Sequence, residues 1–94
     1  MSEIVNAAVK ALSQKIENFD AVAKFVIEGE GALMIDQNGV RAGDDPADVT
    51  LTASRETFEG LLDGSVNPTV AYMTGKLSID GSLPVAMQLG TALS

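Results

Sequence analysis

Asn67–Leu89 reads NPTVAYMTGKLSIDGSLPVAMQL, and it carries the signals of a helix, a strand and a second helix in that order. Asn67 is an N-cap and Pro68 follows at the first helical position, where the missing N–H is not needed and φ is already set. Gly75 stops that helix after Val70, Tyr72 and Met73. Lys76 to Asp80 (KLSID) alternates, so Leu77 and Ile79 share one face of a short strand. Gly81 then turns the chain and Ser82 offers another N-cap. A final helix runs from about Leu83 to the end, with Val85, Ala86, Leu89, Ala92 and Leu93 on one side and Met87 on another.

A single short strand is stable only beside other strands, and the residues upstream supply them. Val49 to Ala53 (VTLTA) alternates apolar side chains with Thr, as a half-buried strand does. Ser54 caps a helix over Arg55 to Asp63, whose buried stripe is Phe58, Leu61 and Leu62 and whose C′ residue is Gly64. Before these lie Ala21 to Glu28 (AVAKFVIE), the turn Gly29-Glu30-Gly31, a strand Ala32 to Asp36, and the hairpin dipeptide Asn38-Gly39 leading into Val40 to Ala42. A polar loop, Gly43 to Asp48, follows. This order predicts a four-stranded antiparallel meander. Ahead of it, Ser2 to Asn18 reads as an amphipathic helix, with Ser2 as N-cap and an apolar face of Val5, Ala8, Val9, Leu12, Ile16 and Phe19.

The chain of 94 residues therefore predicts one domain over residues 1–94, of α/β (α+β) class: a five-stranded, mainly antiparallel sheet covered on one face by helices. No apolar run approaches the ~18 residues that span a bilayer, and no basic, apolar leader opens the chain, so a soluble, cytoplasmic protein is expected. The chain closes on Ala92-Leu93-Ser94 rather than on Ser-Lys-Leu, which gives no support to peroxisomal import. Thirteen acidic residues against six basic ones leave a net charge of −7, and Lys10, Lys15, Lys24, Arg41, Arg55 and Lys76 are scattered. Nucleic acid and anionic membranes are accordingly poor partners.

With no Cys and no His there is no thiolate, no imidazole base and no common zinc or haem ligand. Gly29-Glu30-Gly31 lacks the following helix, the lysine and the third glycine of a phosphate loop. Asp36-Gln37-Asn38-Gly39 opens like a calcium loop, but Val40 takes the next ligand position and no Glu closes it. Asp44, Asp45 and Asp48 read as a solvated acidic loop rather than a cation site. Asp36 and Asp80 each follow apolar residues and could shuttle a proton beside an apolar cavity, as in steroid isomerisation, yet Asp is also what a turn asks for at both places. Neither a catalytic residue, a metal ligand nor a cofactor is expected. Met34, Met73 and Met87 fall on three different elements, where Met either fills gaps in a core or lines an adaptable pocket.

The run from Asn67 to Leu89 resembles the sterol carrier protein 2 family of lipid-transfer domains. The family pattern of Pro, an aromatic with Met, Gly-Lys-Leu-x-Ile-x-Gly and an apolar final helix falls here on Pro68, Tyr72, Met73, Gly75, Lys76, Leu77, Ile79, Gly81, Ala86 and Leu89. Two positions depart from it, with Leu33 where many relatives carry Trp and Tyr72 in place of the commoner Phe. The upstream order of elements fits as well, so the resemblance covers nearly the whole chain. It implies an apolar cavity between sheet and helices that holds a lipid: a sterol, fatty acid, fatty acyl-CoA or isoprenoid. The expected lining is Phe25, Ile27, Met34, Leu51, Phe58, Leu62, Met73, Leu77, Ile79, Met87 and Leu89, with Met87 at the mouth. Two other functions compete with non-catalytic lipid binding and transfer. One is a homodimer or other self-associating module that closes the apolar face without ligand. The other is a small Asp-dependent isomerase.

Overall fold

The computed structural model describes residues 3–93, the last without its side chain, so the Ser2 cap and the packing of Leu93 lie outside the described residues. The elements are α1 (Glu3–Lys15), β1 (Ala23–Ile27), β2 (Gly31–Asp36), β3 (Gly39–Ala42), β4 (Val49–Ala53), α2 (Arg55–Asp63), α3 (Pro68–Met73), β5 (Leu77–Gly81) and α4 (Leu83–Leu93). The five strands form one sheet in the order β3-β2-β1-β4-β5. The mixed α/β architecture and the mostly antiparallel sheet are those the sequence predicts. Among the described residues no helix is long and apolar enough to cross a membrane.

The meander needs correction at its fourth strand. β4 does not extend the sheet beyond β3; it lies parallel to β1, in the register Ala23↔Val49, Phe25↔Leu51, Ile27↔Ala53. A two-residue turn forces its strands to be neighbours, as at Asn38-Gly39, but a loop of six residues does not. Gly43–Asp48 reaches about 20 Å when extended, and carrying the chain from β3 past β2 and β1 takes only ~14 Å. The loop crosses the outer face of the sheet. The Lys24 ammonium pairs with the Asp44 carboxylate at 2.8 Å. Asp48 locks the far end, its carboxylate accepting from the Val22 amide at 3.0 Å and its own amide donating to the Val22 carbonyl at 2.8 Å. Under this crossing Met34 is fully buried, although it stands on the face away from the main core.

The opposite face carries Ala23, Phe25, Ile27, Leu33, Ile35, Val49, Leu51, Ala53 and Leu77, all buried. α1 covers it over β2 and β3, and α4 covers it over β1, β4 and β5. α1 ends at Lys15, earlier than the expected Asn18. The helical spacing persists to Ile16 and Phe19, which are buried from irregular backbone because the Phe19 amide turns to donate to the Asp36 carbonyl at 3.0 Å. α2 spans the predicted residues. Ser54 Oγ accepts from the Thr57 amide at 3.1 Å, and Gly64 closes the helix in the left-handed conformation, φ 84°.

Gly81 stands at the end of β5 opposite Val49, with φ 114°, and a Cβ there would come within 2.5 Å of the Asp48 carbonyl oxygen. Only glycine lets β5 close onto the start of β4, where the Ser82 amide also donates to Asp48 O at 3.0 Å. Gly81→Ala should lose about 2 kcal/mol of stability and lower Tm by roughly 8–16 °C, read by circular dichroism. Gly29→Ala, at φ 78° with nothing near its Cβ, should lose distinctly less. Equal losses would remove the Asp48 contact as the cause.

Candidate functional site

The parallel register of β1 with β4 and the antiparallel register of β4 with β5 place Phe25, Leu51 and Ile79 in one row across three strands. Leu77 lies one step further along β5 on the same face. The Phe25 ring is held edge-on by Phe58, with centroids 4.6 Å apart at 63°. Phe25, Leu51, Leu77 and Ile79 are the floor of a cavity of about 430 Å³, within the ~300–1,000 Å³ common for small-molecule sites. Its roof comes from Pro68, Thr69 and Tyr72 on α3 and from Leu83, Ala86, Met87, Gly90 and Thr91 on α4, with Leu61 and Asn67 at one end.

Among the described residues no charged side chain borders this space, and its polar atoms are largely committed. The Asn67 side-chain oxygen accepts from the Thr69 and Val70 amides at 2.8 and 3.2 Å, capping α3. The Thr91 hydroxyl donates back to the Met87 carbonyl at 3.1 Å. What remains is an apolar interior whose mouth is formed by the exposed side chains of Tyr72, Leu83 and Met87. Such a space can desolvate a hydrocarbon, and among its described lining residues Tyr72 supplies a phenol while no Asp, Glu, Lys or Arg is present. A second hollow of about 440 Å³ adjoins it through Leu61, Asn67 and Pro68 and is completed by Lys15, Asp63, Gly64 and Val66.

Of the residues expected to line a cavity, Phe25, Leu51, Leu77, Ile79 and Met87 do so. The other six stand elsewhere. Ile27, Phe58 and Leu89 are core side chains without exposure of any size, and Leu62 is half-buried against that core. Met34 points through the sheet to the opposite face, because it is one residue out of phase with Leu33 and Ile35. Met73 is 77% exposed on the outer side of α3. Gap filling thus describes Met34 alone among Met34, Met73 and Met87.

The residues that sequence reasoning missed are mainly on the two roof helices. Leu83, Ala86, Met87, Gly90 and Thr91 fall at i, i+3, i+4, i+7 and i+8 of α4, a complete helical face. That spacing is legible in the sequence. The stronger stripe of Val85, Ala86 and Leu89 masks it, since that stripe accounts for the packing of the helix by itself and the small or hydroxyl side chains of Gly90 and Thr91 carry no apolar signal.

The carboxylates considered for chemistry lie outside the cavity. Asp36 is on the far face of the sheet, where its carboxylate accepts from the Arg41 guanidinium at 2.7 Å and from the Asn38 amide at 2.9 Å. Those bonds, the guanidinium's first, hold its pKa below the ordinary carboxylate value. Asp80 is exposed and paired across the sheet with Thr50, also on that far face. Asp44 and Asp48 are drawn apart to Lys24 and Val22, and among the described residues no group of three or more Asp or Glu converges to hold a metal.

A model of the SCP-2 sterol transfer family matches residues 3–94. Hydroxysteroid dehydrogenase-like protein 2 of Danio rerio is 32% identical over 98 residues, an alignment that covers 95% of this chain and 24% of the relative. Peroxisomal multifunctional enzyme A of Dictyostelium discoideum is 32% identical over 80 residues, covering 85% of this chain and 17% of that protein. The chain thus spans about a quarter or less of the length of these relatives. Among solved structures, the solution structure of sterol carrier protein 2 from Aedes aegypti in complex with the C16 fatty acid palmitate superposes with a TM-score of 0.78 at 19% identity, over 100% of this chain and 97% of that one. Sterol carrier protein domain 2 of Helicoverpa armigera gives 0.70 at 25% identity, over 95% and 81%. The first is a likeness of fold.

The Asp36 pairing has a consequence for acid stability. A carboxyl whose folded pKa is depressed stabilises the fold above its unfolded pKa of about 3.9 and loses that contribution as pH falls through the folded value. The urea midpoint of the parent should therefore drop between pH 5 and pH 3 by more than that of Asp36→Asn, so that the gap between the two narrows in acid. A gap that stays constant with pH would mean that the carboxylate's charge contributes nothing.

Proposed function

This chain belongs to the SCP-2 sterol transfer family, and from that membership and the cavity we propose that it binds a single lipid and carries it without chemical change. The observation that carries the reading is an uncharged cavity of about 430 Å³, open at a mouth of exposed apolar side chains, between β1, β4, β5 and the helices α3 and α4. A fatty acid or fatty-acyl chain is the occupant that fits best. Its methylenes gain ~0.8 kcal/mol each on burial, so eight of them contribute roughly 6 kcal/mol before association costs, enough for micromolar binding in a preformed site. The Aedes relative with palmitate supports this class of ligand. Sterols and isoprenoids would gain by the same desolvation.

The placement of the carboxylates speaks against the catalytic alternative. Asp36 and Asp80 lie on the sheet face away from the cavity, and among the described residues no Asp, Glu, Lys or Arg lines it beside the hydroxyls of Thr69 and Tyr72. The enzymes among the long relatives carry three-quarters or more of their length outside the matched region, which leaves room for their chemistry to lie elsewhere. With a net charge of −7 the protein should bind phosphatidylserine-rich vesicles weakly at physiological salt.

A fluorescent fatty acid should bind at micromolar concentration and be displaced by palmitate. No binding of any hydrophobic probe at tens of micromolar would defeat the reading. Met87 is 73% exposed and borders the cavity, so Met87→Gln should weaken probe binding by up to about tenfold while moving Tm by only a few degrees. A collapse in stability with unchanged probe affinity would instead make Met87 a packing residue.

A further inference from the structure

Among the described residues every large apolar side chain left exposed lies on α3 or α4: Val70, Tyr72 and Met73 on the first, Leu83 and Met87 on the second. Tyr72, Leu83 and Met87 border the cavity; Val70 and Met73 do not. Those two, three residues apart, form the outer face of α3, beside the Thr69–Tyr72 face that looks into the cavity. An apolar rim therefore surrounds the mouth and continues outward beyond anything a ligand inside would touch.

The distribution of charge selects what such a rim can meet. Residues 64–94 carry Lys76 and Asp80 as their only charged side chains, so the entire net charge of −7 resides in residues 1–63. α3 and the described part of α4 hold no charge at all. Two copies meeting rim to rim would bring two bodies of like charge together, and a basic protein or an anionic membrane would be sorted by the charged side chains of residues 1–63, not by these two helices. An uncharged lipid surface asks only for an apolar, uncharged face and imposes no repulsion on the remainder.

We propose that the α3–α4 rim is a docking surface for neutral, zwitterionic bilayers, on which the cavity mouth opens directly against the lipid. The inference rests on the lipid-carrier reading and adds to it the route of transfer. Val70 and Met73 enter the headgroup boundary, Tyr72 sits at the interface with its hydroxyl toward water, and Leu83 and Met87 flank the passage of the acyl chain. The ligand then moves between membrane and cavity without crossing bulk water.

The test uses the whole chain with phosphatidylcholine vesicles, floated on a density gradient, and the double variant Val70→Ser/Met73→Gln. Both positions are exposed and neither borders the cavity, so fatty-acid affinity measured without vesicles should be unchanged. Vesicle association should fall about tenfold. The rate of transfer of a fluorescent fatty acid should rise with acceptor-vesicle concentration for the parent and lose that dependence in the variant. Adding phosphatidylserine should weaken association and added salt should restore it. Equal flotation of parent and variant overturns the proposal, as does stronger binding to phosphatidylserine vesicles. A dimer of the parent that the variant abolishes assigns the rim to a second copy and overturns it too. Loss of fatty-acid binding by the parent itself would be a failure of the carrier reading, and it is measured separately.

Discussion

The parallel pairing of Ala23–Ile27 with Val49–Ala53 determines which side chains can meet on the helical face of the sheet. β1 supplies Phe25 and β4 supplies Leu51, and β5 can add Ile79 to the same row only because β4 stands between it and β1. Had VTLTA extended the meander beyond β3, Phe25 and Ile79 would be separated by the width of the sheet and no common floor would exist. The crossing of Gly43–Asp48 makes this order attainable. It is held by the Lys24–Asp44 ion pair and by the reciprocal bonds of Asp48 with Val22, while Gly81 packs against the same Asp48 backbone from the other side. The polar loop thus acts on packing at a distance, by setting the neighbour of the central strand.

The cavity persists because the two helices above it cannot fill it. α3 has six residues and sends only Ala71 into the core. α4 divides its apolar surface, with Leu89 buried on one side while Leu83 and Met87 look toward the space beside it. Gly90 and Ala86 add almost no volume on that side. Elsewhere the interior is closed by Phe58 against Phe25 and by the apolar stripe of α1, so the empty space does not propagate. Phe25, Leu51, Leu61, Leu77 and Ala86 belong both to the core and to the cavity wall, whereas Leu83 and Met87 border the cavity from exposed positions.

Charge is partitioned along the chain in the same sense. The acidic residues crowd the first two-thirds, where several are engaged in local structure: Asp36 with Arg41, Asp44 with Lys24, Glu59 with Arg55, and Asp63 with the Ser65 amide. Each is a surface interaction of small net worth. α3 and the described part of α4 carry no charged side chain, while residues 1–63 carry the net charge.

The sequence by itself determined the local events, because each depends on residues a few positions apart. Ser54 and Asn67 cap their helices through their own side chains, Gly64 accepts a left-handed φ, Asn38-Gly39 turns a hairpin, and the block from Gly75 to Gly81 resembles a family closely enough to indicate an apolar cavity. Five of its lining residues, Phe25, Leu51, Leu77, Ile79 and Met87, were also legible, since alternation and helical spacing assign faces. Tertiary structure alone decided that β4 joins β1, a choice made by a loop long enough to permit several neighbours. It alone decided that Met34 lies beneath that loop and not in the cavity, although Leu33 and Ile35 on either side face the helices. It also decided that Phe58 and Leu89 fill the core while Gly90 and Thr91 border the empty space. Whether an apolar side chain touches a partner or a void depends on how two surfaces meet, and a pattern along one chain specifies only the surfaces.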